Sequence, residues 1–213
     1  MGLDYLRDPT AIYRLSFETV AAEADLSIFT EAEAAVATRL IHACGMPDIA
    51  GDLRFSEGAV DAAARALNAG APIICDCDMV AAGISLSASG LENPVLSFIN
   101  APDLPARAKT EETTRSAAQV PLWFDGLEGA VVAIGNAPTA LFRLIEEIRA
   151  GAPMPAAVLG FPVGFVGAAE SKQALVDESP IIPHAALLGR RGGSAIAAAA
   201  VNAIARVAAR IDQ

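Results

Sequence analysis

The chain has 213 residues, of which 54% are hydrophobic and 19% charged, and 15 Lys and Arg against 25 Asp and Glu give a net charge of −10. A chain of this length and hydrophobicity can bury a large core, so we expect one domain, 1–213, and exclude intrinsic disorder. The negative charge opposes binding to phosphate backbones and anionic headgroups, so neither nucleic acid nor a membrane surface is an expected partner.

The first third of the chain predicts helices. Asp8 followed by Pro9 is typical of a helix start, because Asp accepts free amide hydrogens and Pro tolerates the first helical position. Thr30 with Glu33 forms a capping-box pattern, and Gly45 suits a left-handed helix end. The three predicted helices span 9–24, 31–44 and 56–68.

After Gly70 the pattern changes to short apolar runs that alternate with helix-like stretches. The predicted strands span 72–77, 94–99, 130–134, 156–160 and 185–188. The helices predicted between and after them span 78–84, 104–124, 138–150, 170–177 and 194–210. Continuous apolar runs alternating with helices indicate a parallel sheet with right-handed crossovers. The predicted fold is α/β, with a mainly parallel five-stranded sheet flanked by helices and a helical N-terminal extension.

The sequence favours a cytoplasmic protein. Its apolar residues are scattered, with no run of about 18 that could cross a bilayer. Asp4 and Asp8 stand where a secretory signal would carry cations. The three cysteines lack the spacing of a disulfide framework or a zinc site, so we expect buried thiols in a reducing compartment.

Two histidines are candidates for proton transfer near neutral pH. His42 falls in the last turn of the second predicted helix, with Arg39 on the same face. The helix C-terminus favours an imidazolium and Arg39 opposes it, so His42 could give or take a proton. The alternative is that His42 caps helix carbonyls. His184, at the entrance to a strand, is expected to have a surface or packing role.

The segment 189–194, Gly-Arg-Arg-Gly-Gly-Ser, leaves a strand and opens a helix. Glycines allow close backbone approach, and the guanidiniums of Arg190 and Arg191 can bind carboxylates or phosphates. The segment is neither a P-loop nor a dinucleotide fingerprint. It predicts an anion site, and the alternative is a glycine-rich turn with two solvated arginines.

Other polar residues permit two interpretations each. Thr114 and Arg115 either bind a ligand or form a solvated helix face, and Ser16 either binds a ligand or bonds to its own helix. Asp76 and Asp78 follow a strand, where capping of the following helix is favoured over binding a cation or hydroxyl group. No spacing typical of a metal centre or a Ser-His-Asp hydrolase is present.

Seven segments in order resemble the precorrin-8X methylmutase (precorrin isomerase) family. They are 5–9 (YLRDP), 11–13 with 16–17 (AIY and SF), 41–45 (IHACG), 114–118 (TRSAA), 135–141 (GNAPTAL), 162–168 with 170–172 (PVGFVGA and ESK) and 189–195 (GRRGGSA). The resemblance covers essentially the whole chain. It implies an isomerase of cobalamin biosynthesis that moves a methyl group from C11 to C12 of precorrin-8X, giving hydrogenobyrinic acid.

The resemblance also implies how the reaction proceeds. The family is described as using an acid-assisted 1,5-sigmatropic shift that requires no cofactor and no metal. It implies that His42 is the proton donor and acceptor, and that the substrate-binding residues are Ser16, Arg39, Thr114, Arg115, Arg190 and Arg191. The partners it implies are a corrin-ring substrate with several carboxylates and a second copy of the chain, because the family is homodimeric. Hand-off of the product to the next enzyme stays open.

Three alternatives stay open from the sequence. One is a corrinoid carrier without activity, which retention of Ser16, Arg39 and His42 together disfavours. Another is the cobalt-precorrin-8 methylmutase of the oxygen-independent pathway. The last is an unrelated α/β enzyme that uses the 189–194 segment to bind a small phosphorylated metabolite. A corrinoid binder would carry a visible chromophore, whereas a phosphate enzyme would be colourless.

Overall fold

The computed structural model describes residues 3–179 and 181–211, in which six strands form one sheet flanked by helices. The strands are β1 (Leu53–Phe55), β2 (Ile73–Cys75), β3 (Val95–Ser97), β4 (Val131–Ile134), β5 (Ala157–Gly160) and β6 (His184–Leu187). Their order is β1-β6-β5-β4-β2-β3. β1 pairs antiparallel with β6, and the other neighbours are parallel. The α/β class and the mainly parallel sheet are therefore confirmed.

The helices lie before, between and after the strands. They are α1 (Pro9–Glu23), α2 (Glu31–Cys44), α3 (Ala59–Asn68), α4 (Asp78–Gly83), α5 (Leu104–Thr110), α6 (Arg115–Ala118), α7 (Phe124–Leu127), α8 (Pro138–Arg149), α9 (Ala168–Asp177) and α10 (Ser194–Ile211). Short 3-10 turns occur at Pro47–Asp52, Ser87–Ser89 and Val120–Trp123. None of the helices in 3–179 and 181–211 is long and apolar enough to span a membrane.

Local signals define the first two helices. Asp8 Oδ1 accepts the Thr10 amide hydrogen at 3.0 Å. In α2, Thr30 Oγ1 accepts from the Glu33 amide at 3.4 Å, and Glu33 Oε2 accepts from the Thr30 amide at 2.9 Å. Gly45 then ends α2 with φ of 68°. Each end is stabilised by residues close in sequence, so the predicted boundaries agree with the structure to within a residue.

The core has two halves, one on each face of the sheet. Alternate strand residues point to opposite faces. Ile73 and Ala133 pack with α2, α3 and α10, whereas Ile74 and Val132 pack with α8 and the 3-10 turn at Val120–Trp123. α10 also packs against α4, at the carboxyl end of β2. The first face therefore brings α2 and α10 together.

The structure corrects the predicted number of strands and the extent of two predicted helices. The sheet has six strands rather than five, because β1 pairs with β6 at the sheet edge. The single helix predicted over 104–124 is broken, since Glu112 adopts a positive φ of 50° and Thr114 starts a new helix. The third helix begins at Ala59 rather than Ser56, because Gly58 is left-handed.

The interior contains groups that the sequence assigned only loosely. His184 is buried in β6, where its amide donates to Ser56 Oγ at 2.8 Å and its Nδ1 contacts the Ile182 carbonyl at 2.8 Å. Its role is therefore packing, and burial lowers the pKa of its imidazole. All three cysteines are free thiols, but only Cys75 is buried, whereas Cys44 and Cys77 are half-buried.

Candidate active site

His42 forms the centre of a cluster between α1 and α2. Ser16 Oγ lies 2.7 Å from His42 Nδ1. The rings of Tyr13 and Phe17 lie on the imidazole, with centroid distances of 5.4 and 5.2 Å. Tyr13, Ser16 and Phe17 are spaced three and four residues apart along one side of α1. One helix face therefore fixes both the orientation of the imidazole and the partner of one ring nitrogen.

Arg39 lies one turn before His42 on α2. Its guanidinium carbon is 5.3 Å from the centroid of the Phe17 ring, within cation–π range. Burial and the nearby Arg206 lower the pKa of Arg39, while a hydrogen bond with Tyr13 acts in the opposite direction. The cation is thus held in place by Phe17 and Tyr13 but faces a second cation.

Two cavities adjoin His42. The first, of about 470 Å³, runs between α1 and α2 and is mainly apolar, with Ser16 and His42 on its wall. The second, of about 240 Å³, lies on the α10 side and includes Arg39, Asn202 and Arg206. His42 is exposed in the single chain. Its ring is therefore accessible from an apolar groove and from a cationic cavity.

The loop 189–193 is tied down at Arg191. The two outer guanidinium nitrogens of Arg191 donate to Asp48 at 2.5 Å and to Asp52 at 2.6 Å. Lys172, which is fully buried, donates from Nζ to the Arg191 carbonyl at 2.6 Å. The bonds to Asp48 and Asp52 raise the pKa of Arg191 and occupy its side chain. They favour a structural role for Arg191, and its predicted role in substrate binding stays a prediction.

Arg190 differs from its neighbour. Its guanidinium carbon lies 5.5 Å from the centroid of the Phe165 ring, which is 84% exposed. The backbone joins the two loops, since the Gly193 amide donates to the Phe161 carbonyl at 2.8 Å. Arg190 and Phe165 therefore present a cation and an aromatic face to solvent, at the carboxyl ends of β5 and β6.

Thr114 and Arg115 lie at the start of α6. Thr114 Oγ1 accepts from the Ala117 amide at 3.1 Å and lies 2.8 Å from Thr139 Oγ1, in the first turn of α8. The Arg115 side chain is exposed. The pair thus contacts the start of α8, at the carboxyl ends of the parallel strands, where Arg190 also lies. No contact joins it to the His42 cluster in the described chain.

The two aspartates after β2 both have partners. Asp76 is fully buried and accepts three amide hydrogens, from Gly135, Asn136 and Ala137, at 2.8 to 2.9 Å. Burial raises the pKa of its carboxyl, and the three amides act in the opposite direction. Asp78 accepts from Ser97 and Asn100. Asp76 therefore stabilises the start of α8, and the prediction that these aspartates cap the following helix is wrong, because α4 has Cys77 at its N-cap and no side-chain capping bond. The structure described for 3–179 and 181–211 holds no cluster of three metal-ligating side chains.

Comparison with known proteins identifies the family to which the chain belongs. The family model for precorrin-8X methylmutase matches residues 11–207. The chain belongs to the precorrin-8X methylmutase family. A precorrin-8X methylmutase of Pseudomonas aeruginosa is 55% identical, over 95% of this chain and 98% of that protein. A cobalt-precorrin-8 methylmutase of Methanothermobacter thermautotrophicus is 41% identical, over 84% and 83%. A solved precorrin-8x methyl mutase of Thermus thermophilus matches with a TM-score of 0.84 and 43% identity, over 94% of this chain and 97% of that one.

Membership of the precorrin-8X methylmutase family confirms the resemblance that the seven segments indicated, and it argues against the phosphorylated-metabolite alternative. The structure brings Ser16, Arg39 and His42 together. It places the pairs at 114–115 and 190–191 at the carboxyl ends of the parallel strands. Sequence reasoning missed Asn202 and Arg206, which line the cationic cavity. Their four-residue spacing in an alanine-rich helix was the available signal.

Proposed function

We propose that this chain isomerises precorrin-8X to hydrogenobyrinic acid, moving the C11 methyl group to C12, with His42 as the acid. The family assignment supports the reaction. The observation that carries the catalytic assignment is the 2.7 Å contact between Ser16 Oγ and His42 Nδ1. It occupies one ring nitrogen, so Nε2 is the nitrogen through which His42 gives and takes a proton.

The proposed step needs a proton only transiently. His42 donates to the conjugated macrocycle, and the positive charge favours migration of the methyl group. The C11–methyl bond breaks as the C12–methyl bond forms, and the proton then returns to His42. No atom is gained or lost, so substrate and product have the same mass. The aromatic rings of Tyr13 and Phe17, which contact the imidazole and each other, keep its orientation fixed during the transfer.

The surroundings of His42 fit a macrocycle with an apolar body and charged edges. The apolar groove of about 470 Å³ can accept part of the ring and its alkyl groups. Arg39 is placed to bind a carboxylate at the periphery of the macrocycle. Ser16, beside His42, remains within reach of the macrocycle as well. We assign Arg190 and the Thr114–Arg115 pair to carboxylates farther from His42. A local guanidinium outweighs the net negative charge because distant charges are screened beyond about 8 to 10 Å.

We propose that the physiological substrate is metal-free. The P. aeruginosa relative, named for precorrin-8X, is 55% identical to this chain, against 41% for the relative named for the cobalt substrate. The test is to offer wild-type protein each substrate separately under anaerobic conditions. A higher kcat/KM with precorrin-8X supports the proposal, and a higher value with cobalt-precorrin-8 overturns it.

We also propose a cytoplasmic homodimer whose second subunit covers α1. Val20 is the one buried residue of α1 in the chain described here, and Ile12, Tyr13 and Leu15 are about half exposed. An exposed apolar helix beside the candidate site is the expected position of an interface. Sedimentation should give a dimer for wild-type protein and a monomer for Leu15→Glu. A monomeric wild type would refute this part.

Conversion of precorrin-8X tests the function directly. The wild-type protein should change the visible spectrum and give hydrogenobyrinic acid of unchanged mass, identified by NMR. Binding of either corrinoid form without conversion would instead indicate a carrier. An absence of binding to both substrates would refute the proposed function.

A further inference from the structure

We propose that Arg206 forms, with Arg39, a binding subsite for one carboxylate of the substrate, on the α10 side of His42. This inference rests on the proposed function and adds a site residue from a helix that the His42 cluster does not include. The cavity concerned is lined by Tyr13, Arg39, His42, Ser85, Asn202 and Arg206.

Helix geometry places Arg206 in this cavity. Ala199, Asn202 and Arg206 are spaced three and four residues apart, so they share one face of α10. That face lies opposite Arg39 and His42, which are three residues apart on α2. The small alanine side chains of α10 allow it to pack closely on α2. The two guanidiniums therefore approach each other from two packed helices.

The electrostatics of the cavity lack a compensating anion. Arg206 and Arg210 both act to lower the pKa of Arg39, which shows that the cations are close enough to repel. The described residues that line the cavity include no Asp or Glu. Five other arginines are paired with acidic side chains in the described chain, as Arg191 is with Asp48, whereas Arg39 and Arg206 have no such pair there. Two unneutralised arginines that share a cavity are typical of a site whose anion comes from the ligand.

The polar framework of the cavity is fixed. Asn202 Oδ1 accepts from the Ser85 amide at 2.8 Å, and its Nδ2 donates to the Gly83 carbonyl at 3.0 Å. Asn202 is thus used to hold the segment after α4 against α10. Arg206, one turn later, has no ion pair with an acidic side chain in the described part of the chain. Its guanidinium is available to a carboxylate bound beside His42.

The position of the subsite gives it a function. His42 lines both the apolar groove and this cavity, so a carboxylate held by Arg39 and Arg206 anchors the macrocycle at the edge beside the imidazole. Two guanidiniums that bind one carboxylate from different helices fix its direction better than one. The subsite would therefore set which edge of the ring meets His42.

The test is equilibrium dialysis of hydrogenobyrinic acid against wild type, Arg206→Ala, Arg206→Lys and Arg65→Ala. Arg65 is exposed on α3 and controls for the loss of one positive charge. We expect Arg206→Ala to weaken binding by about 10- to 100-fold, the range of a charged hydrogen bond. Arg206→Lys should be intermediate, and Arg65→Ala should match wild type. Circular dichroism would check that each variant is folded.

Salt dependence separates binding from packing. If Arg206 contacts a carboxylate, the loss of affinity between about 0.05 and 0.4 M salt should be smaller for Arg206→Ala than for wild type. Unchanged affinity of Arg206→Ala would overturn the inference, and so would weaker binding with an unchanged salt dependence. Failure of wild-type protein to bind any corrinoid would refute the proposed function itself, and this inference with it.

Discussion

Lys172 is a buried cation, and replacing it with methionine should change how stability depends on pH. Its side chain is fully buried and its Nζ donates to the Arg191 carbonyl. Burial lowers the pKa of the ammonium from 10.5 to about 8, although Asp52 acts in the opposite direction. Between those values the unfolded chain carries a proton that the folded chain has lost. The free energy of unfolding should therefore rise as pH increases from 8 to 10.5.

The magnitude follows from the two pKa values. A difference of 10.5 minus about 8 corresponds to about 3 kcal/mol at about 1.36 kcal/mol per pH unit. Because Arg191 and Asp52 beside the ammonium are partly exposed, solvent screening reduces this to about 1 to 2 kcal/mol. The variant also leaves the Arg191 carbonyl without its donor, which costs about 1 kcal/mol at every pH. The slope is therefore the informative quantity.

The assay is urea unfolding of wild type, Lys172→Met and Lys109→Met at pH 7, 8, 9 and 10. Lys109 is the chain's only other lysine and is exposed, so it is a matched control. Burial raises the pKa of Cys75 to about 12, and this destabilises all three proteins equally at high pH. The free energy of unfolding of wild type, minus that of Lys172→Met, should rise by about 1 to 2 kcal/mol from pH 7 to pH 10. Parallel curves would refute the reasoning.

Five further substitutions, in three experiments, test the loop and the His42 cluster. A Cβ at Gly192 would lie 2.3 Å from a backbone oxygen, whereas one at Gly189 meets nothing within 4 Å. Thermal unfolding should thus show Gly192→Ala destabilised by about 3 kcal/mol or more. Gly189→Ala should be destabilised by about 1 kcal/mol, because of the positive φ at this position. Equal losses of stability in the two variants would contradict this reasoning. Arg191→Ala should reduce the free energy of unfolding by about 1 kcal/mol and leave product affinity nearly unchanged. Arg190→Ala should weaken product binding and leave the free energy of unfolding nearly unchanged. Dialysis in which Arg191→Ala loses more affinity than Arg190→Ala would assign Arg191 to the substrate. Ser16→Ala should lower kcat by about 5-fold with little change in KM, because a hydrogen bond is worth about 1 kcal/mol. A change confined to KM in steady-state kinetics would contradict a positioning role.

The elements that were predictable are those defined by neighbouring residues. The capping box and Gly45 define α2 from within sixteen positions of sequence, so its boundaries were predicted correctly. β1 was missed because Arg54 interrupts its apolar residues and because its strand partner, β6, is distant in sequence. Such pairing is a long-range property that no local pattern reveals.

In the candidate site too, the predictable residues are close in sequence, whereas the contacts that were missed join distant segments. His42 and Arg39 stood out because a single helix turn joins them. The approach of Arg206 to Arg39 depends on how α10 packs on α2, and the pairing of Arg191 with Asp48 joins residues 143 positions apart. Charge and glycine content predicted an anion site in the 189–194 segment. They could not show that the Arg191 side chain is bound by carboxylates of the protein itself.

The most direct test of His42 is single-turnover conversion of precorrin-8X by wild type and His42→Ala, with binding measured on the same samples. Removing a general acid should lower the rate by about 100-fold or more. Because the arginines and the apolar groove remain, the variant should still bind the corrinoid. Conversion by His42→Ala within a few-fold of the wild-type rate would contradict the assignment of His42 as the acid.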